Sequence, residues 1–235
     1  MNVGTEQEWQ AARKELRTAE LDLEKHTERV EEQRRKLPWV PVENEYRLAT
    51  DAGPRTLPDL FDGRSRLLIY HLMFGEEWEV ACPGCTSVAD GLSGTVEHLN
   101  NRDLTLICMS QAPLEKLAAY KAPRGWTVPW VSAYGSDFLF DYGFAFRREE
   151  MSDIVRDEFD MGELLREAPQ GLRDYRDEVG APDLPSAVSV SAGWSVFAMR
   201  DGAVYNTYRV YPPARLVSPL FSPLLGLLPK IERRH

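Results

Sequence analysis

The stretch that decides the fold is RLLIYHLMFGEEWEVACPGC, which spans residues 66–85. Its first nine residues, 66–74, are a run of branched and aromatic side chains, and such a run predicts a buried strand. Apolar residues recur at helical spacing over 85–101 and predict a helix. Cys82 and Cys85, separated by a Pro-Gly pair, therefore stand between a buried strand and a helix, where α/β folds place their chemistry.

The rest of the chain continues the alternation of strands and helices. The segment 103–110 predicts a second buried strand, and 113–121 predicts a helix that opens with proline at its first position. The segment 194–210 predicts a hairpin whose turn is marked by Asp201-Gly202. Elements in this order predict an open α/β sheet whose last strands run antiparallel.

The N-terminal segment 5–36 predicts a long amphipathic helix that is rich in Glu, Lys and Arg. Its apolar residues recur at alternating steps of three and four, which is a heptad tendency. They are Trp9, Ala12, Leu16, Ala19, Leu23, Val30 and Leu37. Pro38 and Pro41 disfavour continuation of the helix. Two arrangements stay open: a helix that lies on its own domain, and an intermolecular coiled coil that gives a weak homodimer.

These patterns divide the chain into an N-terminal amphipathic helix, 1–37, and an α/β domain, 38–235. A charged, proline-dotted insertion with one or two polar helices is predicted within the domain at about 147–185. The longest apolar tract, 216–229, contains three prolines and is too short to span a bilayer.

The overall composition is that of an acidic globular protein. Of 235 residues, 43% are hydrophobic and 10% aromatic, which suits a packed core. The formal net charge of −9 repels phosphate backbones and anionic lipid, so neither nucleic acid nor a membrane is an expected partner. The N-terminus lacks the basic and apolar regions of a secretory signal. We therefore expect a soluble cytoplasmic protein, in which a CxxC pair is redox-active or metal-binding.

The cysteine pair has three interpretations. As a redox pair, Cys82 at a helix N-terminus would have its pKa lowered from about 8.5 into the range of roughly 3.5–7.5, and Cys85 is close enough to form a disulfide with it. As a metal site, Cys82, Cys85, His98 and Cys108 make a four-ligand zinc set, although the last two are predicted on elements that do not reach the helix start. The third interpretation is that of inert buried thiols, which we assign to Cys108. Redox chemistry fits the α/β context best, so neither a metal nor an organic cofactor is expected.

Other titratable residues flank the pair. His71 lies in the strand that leads to it, and is either a proton relay to the resolving thiol or a hydrogen-bonded core residue. Glu76, Glu77 and Glu79 would oppose thiolate formation if they pointed toward the sulfur atoms. The simpler expectation for these glutamates is a solvated loop.

Two longer strings carry a resemblance to a known family. They are LFDGRSRLLIYHLMFGEEWEVACPGCTSVADG, residues 60–91, and DLTLICMSQAPLEKLAAYKAPRGWTVPWVSAYGSDFLFDYG, residues 103–143. Both resemble the thioredoxin-like family catalogued as domain of unknown function 899, whose members are commonly labelled dithiol–disulfide oxidoreductases. The resemblance extends to the N-terminal helix and the late hairpin. It implies a thioredoxin-like fold, with an N-terminal helical arm and the charged helical insertion, and with Cys82 and Cys85 in the redox positions.

The chain departs from ordinary thioredoxins in one respect that concerns substrates. Thioredoxins carry a proline before the strand that faces the CxxC pair, whereas this chain has Gly193-Trp194-Ser195 there. The resemblance implies an intracellular thiol–disulfide oxidoreductase that acts on protein or small-molecule thiols and disulfides. Two alternatives stay open: a peroxiredoxin-like reductase of peroxide or another small oxidant, and a non-enzymatic thioredoxin-like binding protein.

Overall fold

The computed structural model of the chain describes residues 3–147 and 170–211. It comprises two compact units, Met1–Trp39 and Val40–His235. Most of the insertion predicted at 147–185, and the whole apolar tract 216–229, lie outside the described residues. Within the part that is described, none of the helices combines the length and the apolarity that crossing a membrane requires.

The first unit is built on one helix, α1 (Glu6–Arg35), as predicted. Thr5 caps it, because its hydroxyl accepts the N–H of Glu8 at 3.3 Å while the Glu8 carboxylate accepts the N–H of Thr5 at 2.7 Å. Glu8 in the first turn and Arg34 and Arg35 in the last turn complement the helix dipole. No residue of α1 is buried, so local interactions of this kind stabilise the helix.

In its described residues, the second unit is built on one eight-stranded sheet with the order β1-β8-β7-β4-β5-β6-β2-β3. The strands are β1 (Val40–Pro41), β2 (Arg47–Thr50), β3 (Gly53–Thr56), β4 (Arg66–His71), β5 (Leu104–Ser110), β6 (Trp130–Ser132), β7 (Gly193–Arg200) and β8 (Ala203–Val210). The helices are α2 (Pro83–Leu92), α3 (Val96–Asn100), α4 (Leu114–Lys121), α5 (Phe138–Asp141), α6 (Gln170–Val179) and α7 (Leu184–Ala187).

The centre of the sheet has the predicted topology. Strands β4, β5 and β6 are parallel, with α2 and α3 connecting the first two and α4 connecting the last two. On the other side of β4, β7 and β8 form an antiparallel hairpin. A β–α–β unit with such a hairpin beside its first strand is a thioredoxin-like fold, which confirms the predicted fold class. Strands β1, β2 and β3, which lie at the two margins of the sheet, were not predicted, because they are short and mostly not buried.

Two predicted elements differ in extent from the observed ones. The strand predicted over 66–74 ends at His71, although the chain beyond it stays buried. The helix predicted over 85–101 is divided into α2 and α3 by a 3₁₀ turn at Ser93–Thr95, since Ser93 and Gly94 are poor helix formers. The turn at Asp201-Gly202 is confirmed: both residues have positive φ, 53° and 80°, as a type I′ hairpin requires.

The two faces of β4 have different partners. Trp194, Tyr70, Cys108 and Trp130 are register partners across β7, β4, β5 and β6, so their side chains share one face of the sheet. His71 follows Tyr70 and points to the opposite face. A side chain of β4 can therefore contact the cysteine pair only if it lies on the face of the strand that is turned toward the pair.

Candidate active site at the Cys82–Cys85 pair

The backbone of Cys82 is fixed at the start of α2. Cys82 is the N-cap residue, and Pro83 occupies the first helical turn, where its missing N–H costs nothing. The N–H of Cys82 donates to the carbonyl of Met73 at 2.9 Å, and its carbonyl accepts the N–H of Thr86 at 2.9 Å. The sulfur therefore lies where the free N–H groups of the helix and the positive end of its dipole stabilise a thiolate.

The two thiols of the pair have opposite character. Cys82 is partly exposed, whereas Cys85, one turn later, is only 4% exposed. Hydrogen bonding from the Cys85 thiol lowers the pKa of Cys82 to about 6, and the N–H groups of Cys85 and Gly84 act in the same direction against the opposing effect of burial. Near neutral pH the pair thus shares one proton, which stays on Cys85.

The buried partner holds that proton firmly. Its hydrogen bond to Cys82, and then burial, raise the pKa of Cys85 well above its ordinary value. The backbone N–H of Met73 and the hydroxyl of Tyr70 face the Cys85 sulfur and act in the opposite direction. Tyr70 is itself 1% exposed and packs on Trp194 with ring centroids 4.7 Å apart, so its hydroxyl is held in place beneath the pair.

A second tyrosine, Tyr175 on α6, lies beside the partly exposed thiol of Cys82. Its hydroxyl faces the Cys82 sulfur and, acting as a donor toward it, lowers the pKa of that thiol. The hydroxyl is buried and makes no hydrogen bond of ordinary geometry within residues 3–147 and 170–211. Burial, followed by the nearby Cys82 charge, raises the pKa of Tyr175, so this hydroxyl keeps its proton and acts as a donor.

Backbone hydrogen bonds attach α6 to the loop that precedes Cys82. The carbonyl of Val179, the last residue of α6, accepts the N–H groups of Glu79 at 2.9 Å and of Val80 at 3.3 Å. The turn after the helix uses Gly180 at φ +63°, and a Cβ there would lie 2.5 Å from the Glu79 side chain. Trp78 is fully buried, packs edge-on against Tyr175 at 5.9 Å, and so positions that ring.

The remaining candidate residues do not assemble at the pair. Glu76, Glu77 and Glu79 are exposed, as expected for a solvated loop. His98 is exposed on α3, and Cys108 is fully buried within β5, where burial raises its pKa. Across the described stretches of the chain, no group of three or more His, Cys, Asp and Glu side chains could hold a metal ion, so the four-residue zinc set is not brought together.

His71 lies on the other face of β4 from Tyr70. Its ring stacks on Phe144 at 3.6 Å, and its Nε2 lies 2.7 Å from the Ser195 hydroxyl. Burial lowers the pKa of His71 to about 3, so it is a neutral core histidine. The geometry therefore favours Tyr70 and Tyr175, rather than His71, as the side chains that face the two sulfur atoms. The role of His71 as a proton relay stays a prediction.

The buried His71 should make the protein sensitive to acid. An unfolded histidine has a pKa near 6.5, above the folded value of about 3, so below pH 6.5 the unfolded chain binds one more proton than the folded one. As the pH is lowered from 6.5 toward 3, the free energy of unfolding should then fall by up to about 1.4 kcal/mol per pH unit. Urea unfolding of His71→Gln should show a flatter pH dependence in that window. The control is His98→Gln, an exposed position, and an equal flattening there would contradict the assignment.

The Tyr175 hydroxyl should affect the pH at which Cys82 becomes reactive. The rate of alkylation of Cys82 by iodoacetamide should follow its thiolate fraction, with a midpoint near pH 6. Tyr175→Phe removes one donor and should move that midpoint upward. Tyr120→Phe is the matched control, because the Tyr120 hydroxyl lies 2.9 Å from the Thr86 hydroxyl instead. A midpoint that Tyr175→Phe leaves unchanged would mean that this hydroxyl does not act on the thiolate.

Sequence reasoning missed both tyrosines. Tyr70 carries no signal of its own in the sequence, since the pattern of β4 does not reveal which face of the strand receives α2. For Tyr175 a weak signal exists, because Leu172, Tyr175 and Val179 follow helical spacing in an otherwise charged segment. Nothing in that spacing indicates that the stripe meets a loop some ninety residues earlier.

Solved structures with a similar arrangement of the chain include two bacterial peroxiredoxins. Peroxidoxin BcpB from Mycobacterium tuberculosis is 13% identical, with 81% of this chain and 93% of that chain covered and a TM-score of 0.43. Peroxiredoxin Q from Xanthomonas campestris is 13% identical, with 82% and 96% covered and a TM-score of 0.41. At these values neither carries an argument about activity. No curated protein sequence matches the chain.

The family comparison extends over nearly the whole sequence. One family model matches residues 1–223, which include α1, every strand of the sheet and the cysteine pair. The chain therefore belongs to the family described as Bacterial protein of unknown function (DUF899).

Proposed function

We propose that this protein is a thiol–disulfide oxidoreductase whose Cys82–Cys85 pair cycles between the dithiol and the disulfide. The observation that carries the proposal is the asymmetry of the pair: a partly exposed thiol with a pKa of about 6 stands one helical turn before a buried thiol whose pKa is raised. An attacking thiol needs a pKa near or below the ambient pH, and a resolving thiol has to keep its proton until the first bond has formed.

The first step uses the exposed sulfur. The Cys82 thiolate attacks one sulfur of a substrate disulfide, a Cys82–substrate bond forms, and the other substrate sulfur leaves as a thiolate. The N–H groups of Cys85 and Gly84 and the Tyr175 hydroxyl, which stabilise the Cys82 thiolate, also favour its release when an external dithiol reduces the pair again.

The second step uses the buried sulfur. Once Cys82 is bonded to substrate, its negative charge is gone, so the largest of the effects that raise the pKa of Cys85 is removed and only burial still raises it. Cys85 then loses its proton to the departing substrate thiolate or to solvent, and attacks Cys82. The second substrate thiol leaves, two electrons have moved from the dithiol to the substrate, and an external dithiol has to restore the pair.

The substrates we propose are protein or small-molecule disulfides in a reducing cytoplasm. The chain itself supplies the nucleophile, the resolving thiol and the donors around them, so the proposed cycle uses no metal and no organic cofactor. Nucleic acid and membranes are not proposed partners, because the net charge of −9 opposes both.

The proposal is tested by oxidising the reduced full-length chain with three separate probes: an aromatic disulfide, glutathione disulfide and hydrogen peroxide. Stopped-flow kinetics and peptide mapping should show that both disulfides yield one Cys82–Cys85 disulfide per chain, with Cys108 still a free thiol. Their rates should rise with pH around a midpoint near 6. Oxidation by peroxide at rates far above both disulfides would identify a peroxide reductase, and inertness toward all three would identify a binding protein.

A further inference from the structure

Helix α1 carries an apolar stripe that is exposed to solvent. Trp9, Leu16 and Leu23 are 57%, 54% and 63% exposed. The helix has 30 residues and none of them is buried. Large apolar side chains in water on one face of a long, charged helix are typical of a helix that pairs with another helix.

The stripe has the seven-residue repeat of a two-stranded coiled coil. The first position of successive heptads holds the larger side chains Trp9, Leu16, Leu23 and Val30, and the fourth position holds Ala12, Ala19, His26 and Gln33. In a parallel pair each position meets its own copy, so alanine would meet alanine. In an antiparallel pair, first positions meet fourth positions, and Leu23 and Val30 pack against Ala19 and Ala12 of the second copy. The antiparallel arrangement therefore fills the interface more evenly.

The charges beside the stripe disfavour a parallel pair. In that orientation the residue before each first position meets the residue five places later in the second copy. Glu8 would attract Arg13, but the remaining charged pairs are of like sign. These are Glu15 with Glu20 and Arg29 with Arg34.

An antiparallel pair reverses this balance. With the two helices centred near Leu21, opposite charges meet three times, and each meeting occurs twice by symmetry. The pairs are Glu6 with Arg34, Glu8 with Lys36 and Glu15 with Arg29. Like charges meet only on the symmetry axis, as Glu20 with Glu20 and Asp22 with Asp22.

Cations within each helix already offset those two central repulsions. Arg13 Nη1 lies 3.0 Å from the Glu20 carboxylate, and Lys25 Nζ lies 3.5 Å from the Asp22 carboxylate. The acidic beginning and basic end of α1, which stabilise the helix alone, thus also specify how a second copy can lie against it.

We propose that α1 is a homodimerisation surface that pairs with α1 of a second copy of this chain as an antiparallel coiled coil. The polar residues His26 and Gln33 and the short length keep the association weak. Because ion pairs at an exposed interface select its orientation, added salt should weaken the dimer. This proposal is independent of the redox chemistry.

Sedimentation equilibrium of the full-length protein and of Glu15→Lys distinguishes the orientations. In the antiparallel pair the new lysine meets Arg29 of the second copy, so the dimer dissociation constant should rise about tenfold. In a parallel pair it would meet Glu20 and tighten the dimer. The matched control is Glu28→Lys, which makes the same charge change on the opposite side of the helix and should leave the constant unchanged.

A compensating variant completes the test. Glu15→Lys combined with Arg29→Glu restores the opposite-charge pair and should restore the dimer to near its original strength. Leu16→Glu with Leu23→Glu should give a monomer whose Cys82 alkylation is unaffected. A protein that is monomeric at high concentration, a tighter Glu15→Lys dimer, or an equal effect of Glu28→Lys would each overturn the proposal.

Discussion

Replacing Cys82 with serine is expected to abolish disulfide reduction by this protein, with a loss of at least about 1,000-fold in the second-order rate constant. A serine hydroxyl keeps its proton at neutral pH, whereas the Cys82 thiol, with a pKa of about 6, is largely ionised. The measurement is a single-turnover assay with the reduced full-length chain and an aromatic disulfide.

Cys85→Ser should behave differently from Cys82→Ser. Because Cys82 can still attack but no thiol can resolve the product, mixed disulfides should accumulate at Cys82 and be visible by mass spectrometry. Cys108→Ala is the matched control, since this buried thiol lies within β5 and should leave the rate near that of the original protein. A mixed disulfide at Cys85, or a disulfide that includes Cys108, would reassign the attacking residue.

Trp78→Ala is expected to lower the free energy of unfolding by about 3–5 kcal/mol. Trp78 is fully buried. Its Nε1 donates to the carbonyl of Ser186 at 2.9 Å, and its ring packs on Tyr175 at 5.9 Å. It therefore connects the loop before Cys82 to both α6 and α7. Urea denaturation followed by circular dichroism measures the loss.

Trp78→Phe separates packing from hydrogen bonding. Phenylalanine keeps most of the ring, and the carbonyl of Ser186 retains a hydrogen bond from the Ser189 hydroxyl at 2.8 Å. We therefore expect a smaller cost, about 1–2 kcal/mol. If Trp78 positions Tyr175, Trp78→Ala should also raise the pH midpoint of Cys82 alkylation under conditions where the variant is folded. If Trp78→Ala were as stable as the original protein, the contacts of Trp78 with α6 and α7 would not stabilise the loop before Cys82.

The sequence by itself determined the central part of this protein. Branched and aromatic runs, helical spacing and the Asp201-Gly202 turn are local signals, and they sufficed to predict β4, β5, α2, α4 and the hairpin of β7 and β8. Sequence signals also placed Cys82 at the start of a helix. Proline is common in the first turn of a helix, and the residue before it is then the N-cap.

Only the tertiary structure decided which side chains lie next to the sulfur atoms of Cys82 and Cys85. Strand alternation places Tyr70 and His71 on opposite faces, but no local pattern says which face receives α2. Tyr175 reaches Cys82 because α6 is bonded to the loop at Glu79 and Val80, contacts that join segments distant in the chain. The pKa values of the two thiols depend on such contacts and on burial, which are properties of the packed molecule and of no single segment.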